Sequence, residues 1–259
     1  TLLDSVQPDC VFHLAAQSSV ALSWKKPSTT VDVNIKGTVN LLEAARTVEA
    51  KPKILLIGSG EEYGFVLPTD LPIREDTPLR PGNVYAATKA AQGMLGQIYA
   101  RAYGMEIVIV RAFNHIGTGQ PDTFVVASFC RQVAEIEAGI REPVLYTGDL
   151  SARRDITDVR DIVKAYALLA LKGKIGVIYN VGSGKAVEIK DVLELIRVKA
   201  AVPFGIERDP ERLRPSDTPA IEADISRLTS ETGWEPEISL ETSVTDVLGY
   251  WREKIGRAG

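Results

Sequence analysis

Tyr85 and Lys89 stand four residues apart in a stretch with helical periodicity, so both side chains share one helical face. A lysine ammonium beside a phenol favours phenolate, and the pair is expected to lower the Tyr85 pKa toward working pH. Such a phenol is a general acid or base for an alcohol–ketone couple. A Tyr and a Lys at this spacing also occur on helices without chemistry, so the pair needs a partner. Ser59 offers one. It follows the apolar run 53–57 within Gly58-Ser59-Gly60, at the carboxyl end of an expected strand, where open α/β sheets bind ligands. A hydroxyl there can hydrogen-bond a reacting carbonyl oxygen alongside Tyr85. The alternative is a tight turn and nothing more.

The elements that must position these groups are legible as alternating patterns. Residues 10–14 read as a short buried strand after Pro8-Asp9. Residues 31–49 read as a helix with Val33, Gly37, Leu41, Ala44, Ala45 and Val48 on one stripe. An apolar strand at 53–57 is followed by a proline-rich loop over 65–83. Residues 84–103 form a long helix closed by Gly104. Then come a strand at 106–110, a helix at 122–138 and a strand near 143–147. A helix at 159–171, a strand at 178–181 and a helix at 188–199 complete the pattern. Continuous apolar strands separated by helices predict an α/β fold, a Rossmann-like doubly wound parallel sheet covered on both faces. From about residue 113 the alternation loosens, which suggests a smaller C-terminal lobe interleaved with the sheet.

Composition narrows the function classes. The 259 residues are 45% hydrophobic and 25% charged, ordinary for a globular chain. A net charge of −4 argues against a nucleic-acid partner held by a general positive field. No apolar run approaches the roughly 18 residues of a membrane span, and no signal peptide is visible. Cys10 and Cys130 make no disulfide framework, and His13 and His115 are too few for an ordinary zinc cluster. No metal is expected, His13 reads as a core residue, and the expected setting is the cytoplasm.

Five ordered motifs are His13-Leu14-Ala15-Ala16, Gly58-Ser59-Gly60-Glu61-Glu62-Tyr63-Gly64, Tyr85-Ala86-Ala87-Thr88-Lys89, Arg111-Ala112-Phe113-Asn114 and Arg154-Asp155-Ile156-Thr157-Asp158-Val159. Together they resemble the extended short-chain dehydrogenase/reductase family, also called the NAD-dependent epimerase/dehydratase family. The likeness runs through nearly the whole chain. Asn114 to Gln120, Phe124 to Gly139, Ala152 to Asp155, Gly182 to Val187 and Leu213 to Asp217 are more narrowly similar to its GDP-6-deoxy-D-mannose reductases. Their close relatives are the GDP-mannose 4,6-dehydratases.

The resemblance implies reduction of the C4 ketone of GDP-4-keto-6-deoxy-D-mannose to GDP-D-rhamnose with NADPH or NADH. A 4,6-dehydratase, a nucleotide-sugar 4-epimerase and a catalytically silent dinucleotide-binding protein are the alternatives. It implies Ser59, Tyr85 and Lys89 as the catalytic set, with Tyr85 and Lys89 also at the cofactor. Leu14, Ala15, Ala16 and Gln17 would line the cofactor crevice or simply pack at a strand end. Asn34 is a cofactor neighbour or a solvated helix residue. His115 would be a loop residue near the cofactor and not a metal ligand. Asn114, Arg154 and Arg214 would contact the substrate diphosphate, and Asp217 ribose hydroxyls; the charges at 153–161 are read with this site rather than as surface ion pairs. Glu61 matches a dehydratase carboxylate, and Glu62 is expected to face solvent.

Residues 1–112 would form a partial dinucleotide-binding domain. Residues 113–259 would finish the sheet and build the nucleotide-sugar lobe. The family's Gly-rich turn is absent from the sequence, which starts at Thr1. On this likeness the strand at 10–14 is the fourth of the order 3-2-1-4-5-6, with on the order of 60 residues expected before it. Val11 and Phe12 should then be paired on one side only. A homodimer through the helices near 31–49 and 84–103 is also implied, with Met94, Leu95 and Ile98 exceeding one buried stripe.

Overall fold

The computed structural model describes residues 2–212 and 220–256. In chain order its strands are β1 (Cys10–His13), β2 (Lys53–Ser59), β3 (Ile107–Ala112), β4 (Asn114–Ile116), β5 (Val144–Thr147), β6 (Arg153–Asp158), β7 (Ile178–Val181), β8 (Ala186–Glu188), β9 (Gly205–Arg208) and β10 (Ala220–Ile221). The helices are α1 (Leu2–Val6), α2 (Val20–Lys25), α3 (Pro27–Val31), α4 (Gly37–Thr47), α5 (Val84–Tyr103), α6 (Val125–Glu137), α7 (Val159–Lys172), α8 (Ile189–Lys199), α9 (Ser226–Thr232) and α10 (Leu240–Gly256). A π-helical turn, Asp32–Lys36, joins α3 to α4.

The main sheet runs β1-β2-β3-β7, with every pair parallel. Its central strands are unbroken apolar runs because both faces are covered. Ile54 and Leu56 of β2, with Ile107 and Ile109 of β3, pack with Leu42, Ala45 and Ala100 from α4 and α5. The alternate residues Leu55, Ile57, Val108 and Val110 pack with Ile162, Ala165 and Leu169 of α7. This is the doubly covered parallel α/β sheet that the alternation predicts.

The two edges of this sheet differ. β1 pairs with β2 alone among the described residues, and Phe12 on it is 42% exposed. The one-sided pairing expected for Val11 and Phe12 is therefore what the structure has. At the other edge, side chains occupy the free backbone groups of β7. The Asn180 N–H donates to the Glu75 carboxylate (3.1 Å), and Arg227 donates to the Ile178 carbonyl (2.8 Å).

Residues after 113 supply β7 and also build separate small sheets. β6 lies between β10 and β4 and pairs antiparallel with β8, while β5 pairs with β9. Phe129, Val133, Val192, Ile196, Val244 and Trp251 from α6, α8 and α10 form the apolar core there. Apolar periodicity does not reveal β6, because most of its residues are charged. Its charges are satisfied inside the protein. Asp155, fully buried, accepts from Ser183 N and Oγ, Gly184 N and Ala223 N. Asp158 caps α7 through Arg160 N and also holds Ser243 and the Arg160 guanidinium, which pairs with Asp246 as well. Asp161 accepts from the backbone of Glu237 and Ile238. This corrects the reading of the 158–161 charges as part of a substrate site: they tie α7 to α10 and the segment before it.

Another correction concerns 31–49. The helix begins at Pro27, and its buried face is Thr30, Asn34, Thr38, Leu42 and Ala45, whereas Val33 is 40% exposed. Three of these five residues are polar, so an apolar stripe misplaces the face. α5 has the expected bounds. The Asn83 side chain accepts from Ala86 N (2.8 Å), and Gly104 closes the helix at φ 66°. Asn83→Ala should cost about 1 kcal/mol of stability, read as a shift in the urea unfolding curve.

Candidate active site

The structure brings Ser59, Tyr85 and Lys89 together beside the carboxyl end of β2. Ser59 ends that strand, and α5 packs along β2 and β3, carrying Tyr85 and Lys89 in its first two turns. All three are buried. The Ser59 hydroxyl and the Tyr85 phenol interact, which favours the phenolate, but burial dominates and pushes the phenol up to about 12. The charges of Glu61 and Glu62 push in the same direction.

Lys89 does not produce the expected lowering of the Tyr85 pKa. Its ammonium donates to the Ile57 carbonyl (2.7 Å) and to Gln92 (3.2 Å). The i, i+4 spacing brings the two side-chain bases together, but the lysine stem carries the charge to β2. Burial lowers Lys89 to about 8, with Glu62 opposing the fall.

The turn after β2 is organised by reciprocal bonds. The Ser59 Oγ accepts from Glu61 N (3.2 Å), and the Ser59 N–H donates to Glu62 Oε1 (2.8 Å), the two halves of a capping box. Glu62 is fully buried, not solvent-facing as the sequence suggests, and its Oε2 accepts from Arg111 Nε at 2.9 Å. Arg111 also donates to Tyr63 Oη and to the Glu75 carbonyl, and Tyr63 donates to Asn180. The signal for this pair is Arg111 itself, a cation inside an apolar strand that demands a buried counter-charge. Glu61 is half-buried, with Asn83 Nδ2 at 3.5 Å.

The segment after β1 is tied to α5 through Asn34. Its Oδ1 accepts from Gln17 N (2.8 Å), and its Nδ2 donates to Gln17 O and to Thr88 Oγ1. Thr88 in turn donates to the Tyr85 carbonyl (2.7 Å). Asn34 is thus a buried tie, not a solvated helix residue. Leu14 is 62% exposed and Ala15 is exposed, while Ala16 and Gln17 are half-buried. His13 lies in the interior against Thr38 (2.9 Å), and burial with the nearby Lys89 lowers its pKa.

Asn114 and His115 lie on β4. His115 is held by the Phe113 carbonyl (3.0 Å), and burial lowers its pKa. Asn114 is exposed and pairs with Ile156, two residues along β6 from Arg154. Arg154 is buried, and its Nη1 donates to the Arg153 carbonyl. Arg214 and Asp217 lie outside the described residues. Among the described residues, no group of three or more His, Cys, Asp and Glu could hold a metal ion, and no helix is long and apolar enough to cross a membrane.

The donor set fits the ribose end of a nicotinamide cofactor. A lysine ammonium has three N–H donors and Lys89 uses two on the protein, leaving one for a hydroxyl. Ser59 and Tyr85 hydroxyls stand together at the same strand end, as an alcohol–ketone couple requires.

Comparisons with known proteins place the chain in a family. The family model for GDP-mannose 4,6 dehydratase matches residues 1–247. The chain is 37% identical over 248 residues to a GDP-6-deoxy-D-mannose reductase of Pseudomonas aeruginosa, covering 96% of this chain and 82% of that protein. It is 32% identical to a GDP-mannose 4,6-dehydratase of Vibrio cholerae, covering 95% and 74%. The solved structure of RMD from Pseudomonas aeruginosa complexed with NADPH superimposes with a TM-score of 0.92 at 36% identity, covering 96% and 83%. Fold and kinship converge: the chain belongs to the GDP-mannose 4,6-dehydratase family, among the NAD(P)-dependent nucleotide-sugar enzymes of the extended short-chain dehydrogenase/reductase type.

Proposed function

We propose that this protein reduces the C4 ketone of GDP-4-keto-6-deoxy-D-mannose to GDP-D-rhamnose, using NADPH or NADH, in the cytoplasm and as a homodimer. The observation that carries the reading is the Ser59–Tyr85–Lys89 set at the carboxyl end of β2, in a chain 37% identical to a reductase of that class. The bound cofactor supplies the hydride. Ser59 accepts from Glu61 N, so its O–H, directed at Tyr85 in the protein alone, can turn to donate to the ketone oxygen when substrate binds. Tyr85, a neutral phenol across the working range, delivers the proton to the same oxygen as charge develops there. Lys89 holds the ribose end of the cofactor with its third donor and keeps a positive charge near the reacting groups.

Glu61 supports a second reading, 4,6-dehydration, because it sets a half-buried carboxylate close enough to Tyr85 to raise its pKa. One assay separates the two. With GDP-4-keto-6-deoxymannose and NADPH, a reductase consumes NADPH stoichiometrically. A dehydratase or an epimerase recycles its cofactor and shows no net absorbance change at the nicotinamide band.

Arg154, with Arg214, is assigned to the substrate diphosphate, because a planar guanidinium binds phosphate oxygens bidentately. Arg154→Ala should weaken GDP binding by about 1–3 kcal/mol in a calorimetric titration. The homodimer would use α5 and the helix packed beside it. Met94 and Ile98 are 54% and 48% exposed there, whereas Leu95 packs into the core beneath. Light scattering at micromolar concentration should give twice the chain mass, and a sharp monomer would refute the assignment.

A further inference from the structure

We infer that Glu62 is a positioning residue of the reaction: paired with Arg111, its buried carboxylate anchors the Ser59 backbone and so aims the Ser59 hydroxyl at Tyr85. The inference rests on the reading of Ser59 and Tyr85 as the reacting pair.

The geometry for it is specific. Both Glu62 oxygens accept from N–H donors, Oε1 from Ser59 N and Oε2 from Arg111 Nε, the pattern of a carboxylate. Ser59 N and Ser59 Oγ are therefore both held, one by the Glu62 side chain and one by the Glu61 backbone. The serine hydroxyl then has its own O–H and one lone pair for Tyr85 and the reacting oxygen. Fixing the backbone atom fixes where that O–H starts from, and small displacements of a reacting group cost rate steeply. Gly58 makes room for the arrangement: a Cβ there would overlap Glu62 Oε1 and the Val110 carbonyl. Arg111 is itself held by Tyr63 of the same turn and by the Glu75 carbonyl, so the anchor ties the reacting turn to β3 and to the loop that carries Glu75.

The charge has a second consequence that a purely mechanical brace would not. Lys89 is faced by Glu62, by the Ile57 carbonyl from β2, by Gln92 on its own helix and by His13 from β1. Tyr85 is faced by Ser59, Glu61 and Glu62. Removing the Glu62 charge leaves Arg111 unpaired beside them. Both changes favour the deprotonated forms of Lys89 and Tyr85.

The test uses the whole chain with Glu62→Gln and Glu62→Asp. Glu62→Gln should lower kcat about tenfold to a hundredfold with KM within twofold. It should also move the alkaline limb of the kcat profile to lower pH. Glu62→Asp keeps the charge and loses the reach, so its kcat should fall while the limb stays in place. Hydrogen exchange at the Ser59 amide should quicken at least tenfold in both variants. A wild-type rate, an unshifted limb in Glu62→Gln or a still-protected Ser59 amide would each overturn the inference. If Glu62→Gln does not fold, Glu62→Asp decides by kcat and exchange. A wild-type chain that leaves NADPH unconsumed would refute the functional reading instead, and the Ser59 amide would still report on the anchor.

Discussion

Tyr85→Phe is expected to lower kcat by about two to four orders of magnitude while KM for the nucleotide sugar changes little. The phenol is a neutral acid, far more acidic than the Ser59 hydroxyl beside it, so it is the group that delivers the proton. With its pKa pushed up to about 12, it stays protonated throughout the usual assay range. The phenylalanine ring fills the same buried site, so folding should be preserved. The pH dependence is a companion result. Lys89 is held down to about 8 by burial, so its ammonium is lost as pH rises through that value. Activity should therefore fall on the alkaline side of about pH 8, from Lys89 and not from Tyr85. Steady-state rates from pH 6 to 10 check both statements, and an unchanged rate in Tyr85→Phe removes the phenol from the mechanism.

Arg111→Met should destabilise the fold by about 3–5 kcal/mol, the usual cost of leaving one member of a buried ion pair without the other. Arg111 is 5% exposed and Glu62 is fully buried, so neither charge can recover its water. Burial already holds the Glu62 carboxyl above the ordinary carboxylate range, with Arg111 opposing. Without Arg111 the folded-state pKa rises further above the unfolded value. A group raised in this way stabilises below its unfolded pKa and loses that contribution as pH rises through the folded one. The deficit of the variant should accordingly shrink as pH falls through the raised folded-state value toward the ordinary carboxylate range. Urea unfolding at several pH values measures it. The double variant Arg111→Met with Glu62→Leu should recover much of the loss, because an apolar pair leaves no charge unsolvated.

What was legible in the sequence follows the range of the interactions concerned. The bounds of α5 depend on Asn83 and Gly104, residues adjacent to its ends, and local spacing places them well. The strands β2 and β3 announce themselves because both their faces are covered. The misread Glu62 depends on Arg111, 49 residues away, and only the pairing of β2 with β3 brings them together. Asn34 was ambiguous because its partners, Gln17 and Thr88, come from two other segments, and a polar face leaves no apolar stripe. For Tyr85 and Lys89 the spacing correctly gives a shared face, but the direction of a long, flexible lysine is set by the Ile57 carbonyl.

The unequal edges of the main sheet make it a one-way template. A strand approaching β7 meets Glu75 and Arg227 already seated on the backbone groups it would need. A strand approaching β1 meets no seated side chain among the described residues, only the Leu14 N–H on the Phe12 carbonyl (3.1 Å). Any continuation of the sheet is thus confined to the β1 side, whether the added strand belongs to the same molecule or to another. Between two copies, edge contact through this sheet joins β1 to β1. That contact is the same patch on both sides, related by a twofold axis, and it uses up both open edges. Pairing by this route alone ends at two molecules and cannot run on into a fibre.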